Sequence, residues 1–125
     1  MREVLYVEDD DRLRELYGEA LRNAGFKVSE HALAEHALDY LGRRTPDILL
    51  LDLGMPPGTM SGMELLARVR ENPAWSRIPV VVLSGFGDMI NPDAIGRLGV
   101  THVLTKATAR AGDIVRTLTE LLGTS

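Results

Sequence analysis

The stretch PDILLLDLGMP, residues 46–56, contains four consecutive apolar residues that are followed at once by Asp52. An apolar run without alternation is typical of a strand that is buried on both faces of a parallel sheet. A carboxylate directly after such a run needs polar partners, because burying an unpaired charge is costly. We therefore expect Asp52 to belong to a polar site at the end of a buried strand.

Apolar runs on either side of this stretch predict four more strands, at residues 4–7, 26–29, 80–83 and 102–105. Segments with helical spacing separate them. In the first of these segments the apolar positions are Leu13, Leu16, Tyr17, Ala20, Leu21 and Ala24, and Gly25 is the expected stop. Asn91 and Pro92 predict the cap and first residue of a short fourth helix. Five strand–helix units predict an α/β fold, a single domain over residues 1–125 in which a doubly wound five-stranded parallel sheet lies between two helix layers.

Polar residues follow the predicted strands, and the carboxyl ends of parallel strands meet at one edge of a sheet, where ligands bind. They are Glu8, Asp9, Asp10, Asp52, Ser84 and Lys106. Two carboxylates about 5 Å apart repel by roughly 3 kcal/mol at an effective dielectric near 20, and Lys106 supplies a single positive charge. Mg²⁺ prefers oxygen ligands and commonly joins one or two carboxylates to a phosphate. The set therefore predicts a site for Mg²⁺ and a phosphoryl group.

The acidic row at residues 8–11 need not act as one unit. Asp10 is either the N-cap of the first helix or a further acid of the site. Asp11 is expected to be a first-turn acid that suits the helix dipole. Taken singly, Ser84 would be an ordinary loop residue and Lys106 an ordinary surface lysine, so the site prediction depends on their joint placement.

The amino-acid composition disfavours several classes of function. The formal net charge is −4, with a pI near 5.3, which disfavours a general nucleic-acid binder. The absence of cysteine excludes disulfides, thiolate metal sites and cysteine nucleophiles. No apolar run has the length of a membrane span, and the N-terminal stretch lacks the features of a secretory signal. We expect a soluble cytoplasmic domain that binds neither nucleic acid nor membrane.

Four segments together resemble the receiver domain of two-component response regulators: VLYVEDD, PDILLLDLGMP, IPVVVLSG and VLTKA, in this order. The resemblance covers essentially the whole chain and implies a flavodoxin-like fold. It implies that Asp52 is the phosphoacceptor, that Ser84 is the switch hydroxyl and that Lys106 pairs with the phosphate. Mg²⁺ would be bound by Glu8, Asp9, Asp52 and the backbone carbonyl of Gly54. The implied partners are a histidine kinase or phosphotransfer protein and a downstream protein target or output domain, and a homodimer is left open.

The chain departs from the family pattern at several positions. The loop after Asp52 indicates an insertion around Pro57-Gly58-Thr59. Ala107 follows Lys106 where the family usually has a cis proline, so this bond is either trans or strained. Val103 takes the place of the usual switch aromatic. Residues 85–90 are expected to form a loop, in which Phe86 either overhangs the site or packs.

Two other functions are compatible with part of this pattern. A receiver-like scaffold that is not phosphorylated would explain the departures but not the costly acids. A phosphatase of the haloacid dehalogenase type would also use an aspartate and Mg²⁺, with the nucleophile in a D-x-D pattern after the first strand. Residues 8–10 supply carboxylates at that place, but the threonine and cap region that would complete such a site are lacking. Because a receiver domain is itself consumed as the phosphoryl acceptor, we expect that this chain is not an enzyme. Only residues 123–125 follow the last predicted helix, which leaves open whether the domain acts alone or was cut from a longer chain.

Overall fold

The computed structural model describes residues 1–85 and 92–123, in which five strands and five helices alternate. The strands are β1 (Glu3–Val7), β2 (Lys27–His31), β3 (Ile48–Asp52), β4 (Val80–Ser84) and β5 (His102–Thr105). The helices are α1 (Asp11–Asn23), α2 (Ala34–Leu41), α3 (Gly62–Glu71), α4 (Pro92–Arg97) and α5 (Ala111–Leu122). None of the described helices is long and apolar enough to cross a membrane.

All strand pairs are parallel, and the strand order is β2-β1-β3-β4-β5. Helices α1 and α5 pack on one face of the sheet, while α2 and α3 cover the other. The predicted three-layer, flavodoxin-like doubly wound fold is confirmed. Strand order reverses between β1 and β3, so the carboxyl ends of these two strands flank the crevice where such sheets bind ligands.

The three central strands β1, β3 and β4 are buried along their whole length. Alternate residues of each strand enter one of two apolar clusters, one on each face of the sheet. This explains the unbroken apolar run at 48–51, since both sides of β3 are covered. The edge strand β2 is polar and half-buried, and β5 is mostly exposed.

Helix α1 begins and ends as its local sequence predicts. The Asp10 side chain accepts hydrogen bonds from the N–H groups of Arg12 and Leu13, at 2.9 and 3.1 Å. At the other end Gly25 has φ +98°, and the N–H of Phe26 bonds back to the carbonyl of Leu21 at 3.0 Å. This is the left-handed glycine ending that favours glycine over other residues.

Two sequence predictions about this part of the chain need correction. The spacing predicts Leu16 on the apolar stripe of α1, but this residue is 54% exposed. The second strand was predicted at residues 26–29, but it runs from Lys27 to His31, because its pairing with β1 begins at Glu3 and Lys27. Phe26 is buried outside the strand.

Helix α4 begins at Pro92, as predicted, but contains no buried residue. Its C-terminal end is attached through Arg70 of α3. The Arg70 guanidinium donates to four backbone carbonyls, those of Leu98, Ser76, Ile78 and Gly99, at 2.6, 2.9, 2.7 and 3.0 Å. One side chain therefore connects three segments of the chain. The predicted cap Asn91, the loop at 86–90 and Phe86 lie outside the described residues.

The connection from β3 to α3 contains a tight turn at residues 56–59. Gly58 has φ +80°, and both the N–H and the hydroxyl of Thr59 donate to the carbonyl of Pro56, at 3.3 and 2.7 Å. This is the pattern of a turn with proline at its second and glycine at its third position. Helix α3 then begins at Gly62, where a Cβ atom would lie only 2.9 Å from the Cα of Leu53.

Candidate functional site

Three carboxylates meet at the carboxyl ends of β1 and β3. Oxygen atoms of Glu8, Asp9 and Asp52 lie within 4.8 Å of one another, and this is the one group of three or more potential metal ligands found among residues 1–85 and 92–123. Glu8 and Asp52 are buried, whereas Asp9 is half-buried. The arrangement leaves Asp9 closest to solvent, on the side from which a hydrated ion would arrive.

Lys106 reaches this group from the residue after β5. Its Nζ lies 2.5 Å from Asp52 Oδ2 and 2.9 Å from Glu8 Oε1. Burial alone would lower the pKa of Lys106, but its bonds to Asp52 and Glu8 outweigh burial and raise the pKa. The lysine is therefore a fixed positive charge shared between two buried acids.

One positive charge does not balance this group. Burial and the proximity of Asp52 raise the pKa of Glu8 to about 8, although Lys106 opposes the rise. Both oxygens of Glu8 lie beside the Lys106 ammonium, Oε1 at 2.9 Å in the ion pair and Oε2 at 3.2 Å in a hydrogen bond. Three acids beside a single lysine form a group whose negative charge a divalent cation would neutralise.

Asp52 is held on both of its oxygens. Oδ1 accepts the N–H of Gly54 at 3.0 Å, and Oδ2 faces Lys106. The loop after β3 thus turns back toward the carboxylate immediately, which brings Gly54 beside the acids. The role of the Gly54 carbonyl as a metal ligand stays a prediction.

Ser84 ends β4 next to Asp52, since Asp52 pairs with Leu83 in the sheet. Ser84 is buried, and its carbonyl accepts the N–H of Lys106 at 2.8 Å. The two predicted phosphate-contacting residues are therefore linked directly through the backbone. None of the peptide bonds in the described part of the chain is cis, so the Lys106–Ala107 bond is trans.

The geometry resolves the acidic row at residues 8–11. Asp10 caps α1 and is outside the metal-ligand group, and only its N–H approaches Glu8 Oε2, at 3.3 Å. The Asp11 side chain is 87% exposed and pairs with Arg14. Of the two alternatives for Asp10 the contacts favour the N-cap, and Asp11 is the first-turn acid that the sequence predicts, while the metal-binding role of Glu8 and Asp9 stays a prediction.

Sequence reasoning missed Arg14. Its Nη1 donates to the backbone carbonyl of Glu8 at 2.7 Å, so it contacts the chain that carries the two site acids. The available signal was a basic residue one turn inside a helix that starts beside an acidic row. Periodicity assigns such a residue to the surface, and nothing in the spacing shows that it folds back.

Comparison with known proteins is consistent with this geometry. The model of the response regulator receiver domain matches residues 4–118. The chain belongs to this family. The receiver domain is 34% identical over 106 residues to the KDP operon transcriptional regulatory protein KdpE of Escherichia coli, a match that covers 85% of this chain but 45% of KdpE. It is 35% identical over 104 residues to an uncharacterised 14.6 kDa protein of Leptolyngbya boryana, covering 83% of this chain and 78% of that protein.

Solved structures of similar proteins share the fold. A response regulator structure from Chloroflexus aurantiacus has a TM-score of 0.85 at 30% identity and covers 97% of both chains. The Vibrio cholerae chemotaxis protein CheY4 has a TM-score of 0.84 at 26% identity, covering 98% of this chain and 99% of that one. Membership of the family implies a part in two-component signalling, in which receiver domains interact with kinases and output domains and usually bind Mg²⁺ at an acidic pocket.

Proposed function

We propose that this receiver domain accepts a phosphoryl group on Asp52 from a phosphohistidine of a histidine kinase or phosphotransfer protein, in a Mg²⁺-dependent reaction. The observation that carries the proposal is the buried Asp52 carboxylate, which shares the Lys106 ammonium with Glu8 and has Asp9 within 4.8 Å. A buried carboxylate with a purely structural role would need one positively charged partner. Here three carboxylates lie beside a single lysine.

The residues fit Mg²⁺ by the chemistry of their donors. Glu8, Asp9 and Asp52 offer carboxylate oxygens that lie within 4.8 Å of one another, which is the donor type that Mg²⁺ prefers. We assign the Gly54 carbonyl as a further ligand from the family pattern. When bound, the ion neutralises the acids and the phosphoryl oxygens, so that an anionic nucleophile can approach an anionic group.

In the transfer step an Asp52 oxygen forms a bond to phosphorus while the phosphorus–nitrogen bond of the phosphohistidine breaks. The imidazole nitrogen leaves with the bonding electron pair, and Asp52 becomes an acyl phosphate. Lys106 is already 2.5 Å from Asp52 Oδ2, so it needs only a small movement to pair with the phosphoryl oxygens. Ser84, at the end of the adjacent strand, supplies the hydroxyl that reports the new group.

The signal would leave through the β4–β5 side of the domain. The Lys106 N–H bonds to the Ser84 carbonyl, so a shift of either residue moves the other. Val103, in the place of the family's switch aromatic, is 38% exposed. We propose that the readout uses backbone movement of this side and no aromatic rotation, and that it is recognised by a downstream protein or an output domain. A homodimer is a further prediction.

We do not class the domain as an enzyme, because it is consumed as the phosphoryl acceptor. A second candidate is a receiver-like scaffold that is not phosphorylated. It is favoured by two departures from the family pattern, Val103 and the Ala107 that follows Lys106. The retained ion pairs of Lys106 argue against it, since a scaffold has no use for three crowded acids. A scaffold would show no saturable Mg²⁺ binding.

The first experiment is intact-mass analysis after incubation with Mg²⁺ and acetyl phosphate or a cognate kinase. We expect one phosphoryl group on the wild type, none on Asp52→Ala and one on Asp39→Asn, which changes an exposed aspartate of α2. An unmodified wild type, even with a cognate kinase, would refute the proposal. An equal adduct on Asp52→Ala would show that the acceptor is another residue.

The second experiment tests the readout by NMR with beryllofluoride as the phosphoryl mimic. We expect amide shifts in β5, including Val103, in addition to those of the pocket residues Asp52, Ser84 and Lys106. Shifts confined to the pocket residues would contradict propagation through β4 and β5.

A further inference from the structure

Arg14 lies in α1 but folds back toward the strand end. Its Nη1 donates to the Glu8 carbonyl at 2.7 Å, and its Nη2 lies 2.5 Å from Asp11 Oδ1. The arginine side chain is 20% exposed, while its Asp11 partner is 87% exposed. The two bonds therefore differ in kind, because one reaches into the protein and the other is a surface pair.

The Glu8 carbonyl has structural consequences for Asp9. Glu8 has no exposed surface, so its carbonyl needs a partner inside the protein. On the other side of the same residue the Glu8 N–H donates to the His31 carbonyl at 3.0 Å. Since a peptide group is planar, holding the Glu8 carbonyl also fixes the direction in which the chain enters Asp9. Arg14 and His31 thus fix the backbone that carries both acids.

We propose that Arg14 is a positioning residue that holds the Glu8–Asp9 peptide group so that both carboxylates face Asp52 in the geometry that Mg²⁺ requires. This inference rests on the proposed function, because it assigns Arg14 to the same metal site. It adds a residue that donates no ligand atom. The positive charge of Arg14 has the opposite effect on the affinity for Mg²⁺, because it repels a cation. The proposal therefore requires that correct placement of the ligands raises the affinity by more than this repulsion lowers it.

A purely structural role is the competing explanation. In that case Arg14 would stabilise the start of α1 through Asp11 and give the Glu8 carbonyl a partner, with no effect on the metal. Both roles predict that Arg14→Gln lowers stability. They differ in the affinity of the folded protein for Mg²⁺, because only a positioning role changes the placement of the ligands.

The experiment is a Mg²⁺ titration in which binding is monitored through backbone amide chemical shifts, at a temperature where each variant is fully folded. Arg14→Gln is expected to weaken Mg²⁺ binding about 10-fold, the lower end of what is lost when a residue that orients metal ligands is removed. Arg14→Lys keeps a charged donor and is expected to recover part of the loss. Arg12→Gln removes an exposed charge from the same turn and should bind as the wild type does.

Each outcome decides a different point. If the wild type shows no saturable Mg²⁺ binding, the proposed function itself fails. If the wild type binds and folded Arg14→Gln binds equally well or more tightly, the proposed function survives and the positioning role is wrong. If Arg14→Gln does not fold, Arg14→Lys decides: wild-type affinity together with an unshifted Asp9 amide would overturn the inference, and weaker binding with a shifted Asp9 amide would support it.

Discussion

Replacing Arg70 by methionine should cost this domain about 3 kcal/mol of unfolding free energy. Three of the four carbonyls that Arg70 binds are in partly buried bonds, and the fourth bond is exposed. A net value of about 1 kcal/mol for each partly buried bond, below the range for charged partners because of the exposure, and nothing for the exposed one gives this sum. A domain of this kind is stable by roughly 5–15 kcal/mol, so the loss would be easily measured.

The assay is urea unfolding monitored by circular dichroism, with Arg68→Met as the matched control. Arg68 is exposed on the same helix, so its replacement should change stability by less than about 0.5 kcal/mol. Arg70→Lys can restore one or two of the bonds and should fall between the two. Hydrogen exchange should locate the effect in the amides that follow Pro92, because α4 has no buried residue to hold it. A loss below about 1 kcal/mol, or equal losses at positions 68 and 70, would refute the reasoning.

Two further predictions concern the acidic site. Asp9→Asn should weaken Mg²⁺ binding strongly and Asp11→Asn should not, because the exposed Asp11 is outside the group of candidate ligands. Equal effects in a Mg²⁺ titration would show that the assignment of Asp9 to the metal site and of Asp11 to the helix start is wrong. Without metal, Glu8 has a pKa of about 8 when folded against an ordinary value of 4.5, so the folded state binds more protons than the unfolded state between these values. The unfolding free energy should therefore fall as pH rises from about 5 to 8, and Glu8→Gln should flatten this slope while the exposed control Glu19→Gln keeps it. A slope that is unchanged in Glu8→Gln would assign the pH dependence to another group.

The central strands and the residues at their ends could be predicted from sequence because their causes are local. A run such as Ile48 to Leu51 can be buried only if both faces of its strand are covered. Once the strands are parallel, Asp52 and Lys106 must end at the same edge. The proximity of residues separated by 54 positions follows from the topology. The role proposed for Asp52 depends in addition on the resemblance to a family.

The features that the sequence predicted wrongly or missed depend on tertiary contacts, which residue types and their spacing do not reveal. Leu16 is next to Tyr17 in sequence but about 100° from it around the helix, and spacing alone does not show how wide the covered face of α1 is. The bounds of β2 follow from its pairing with β1, since Lys27 is polar and exposed at the strand start. Arg14 was missed for the same reason, because its partner is a backbone carbonyl and no residue type marks it.

The contact between Gly62 and Leu53 has a consequence for how this domain can change its length. The connection at residues 54–61 leaves the sheet and returns to nearly the same point, since a single added carbon at Gly62 would meet the Leu53 backbone. Its tip is a self-contained turn closed by Thr59. Going from six to eight residues in such a closed loop costs only about 0.3 kcal/mol of chain entropy. Residues can therefore be added or removed at the tip, in evolution or by engineering, without moving β3, and the tip is a suitable place to graft a recognition peptide or a spectroscopic probe.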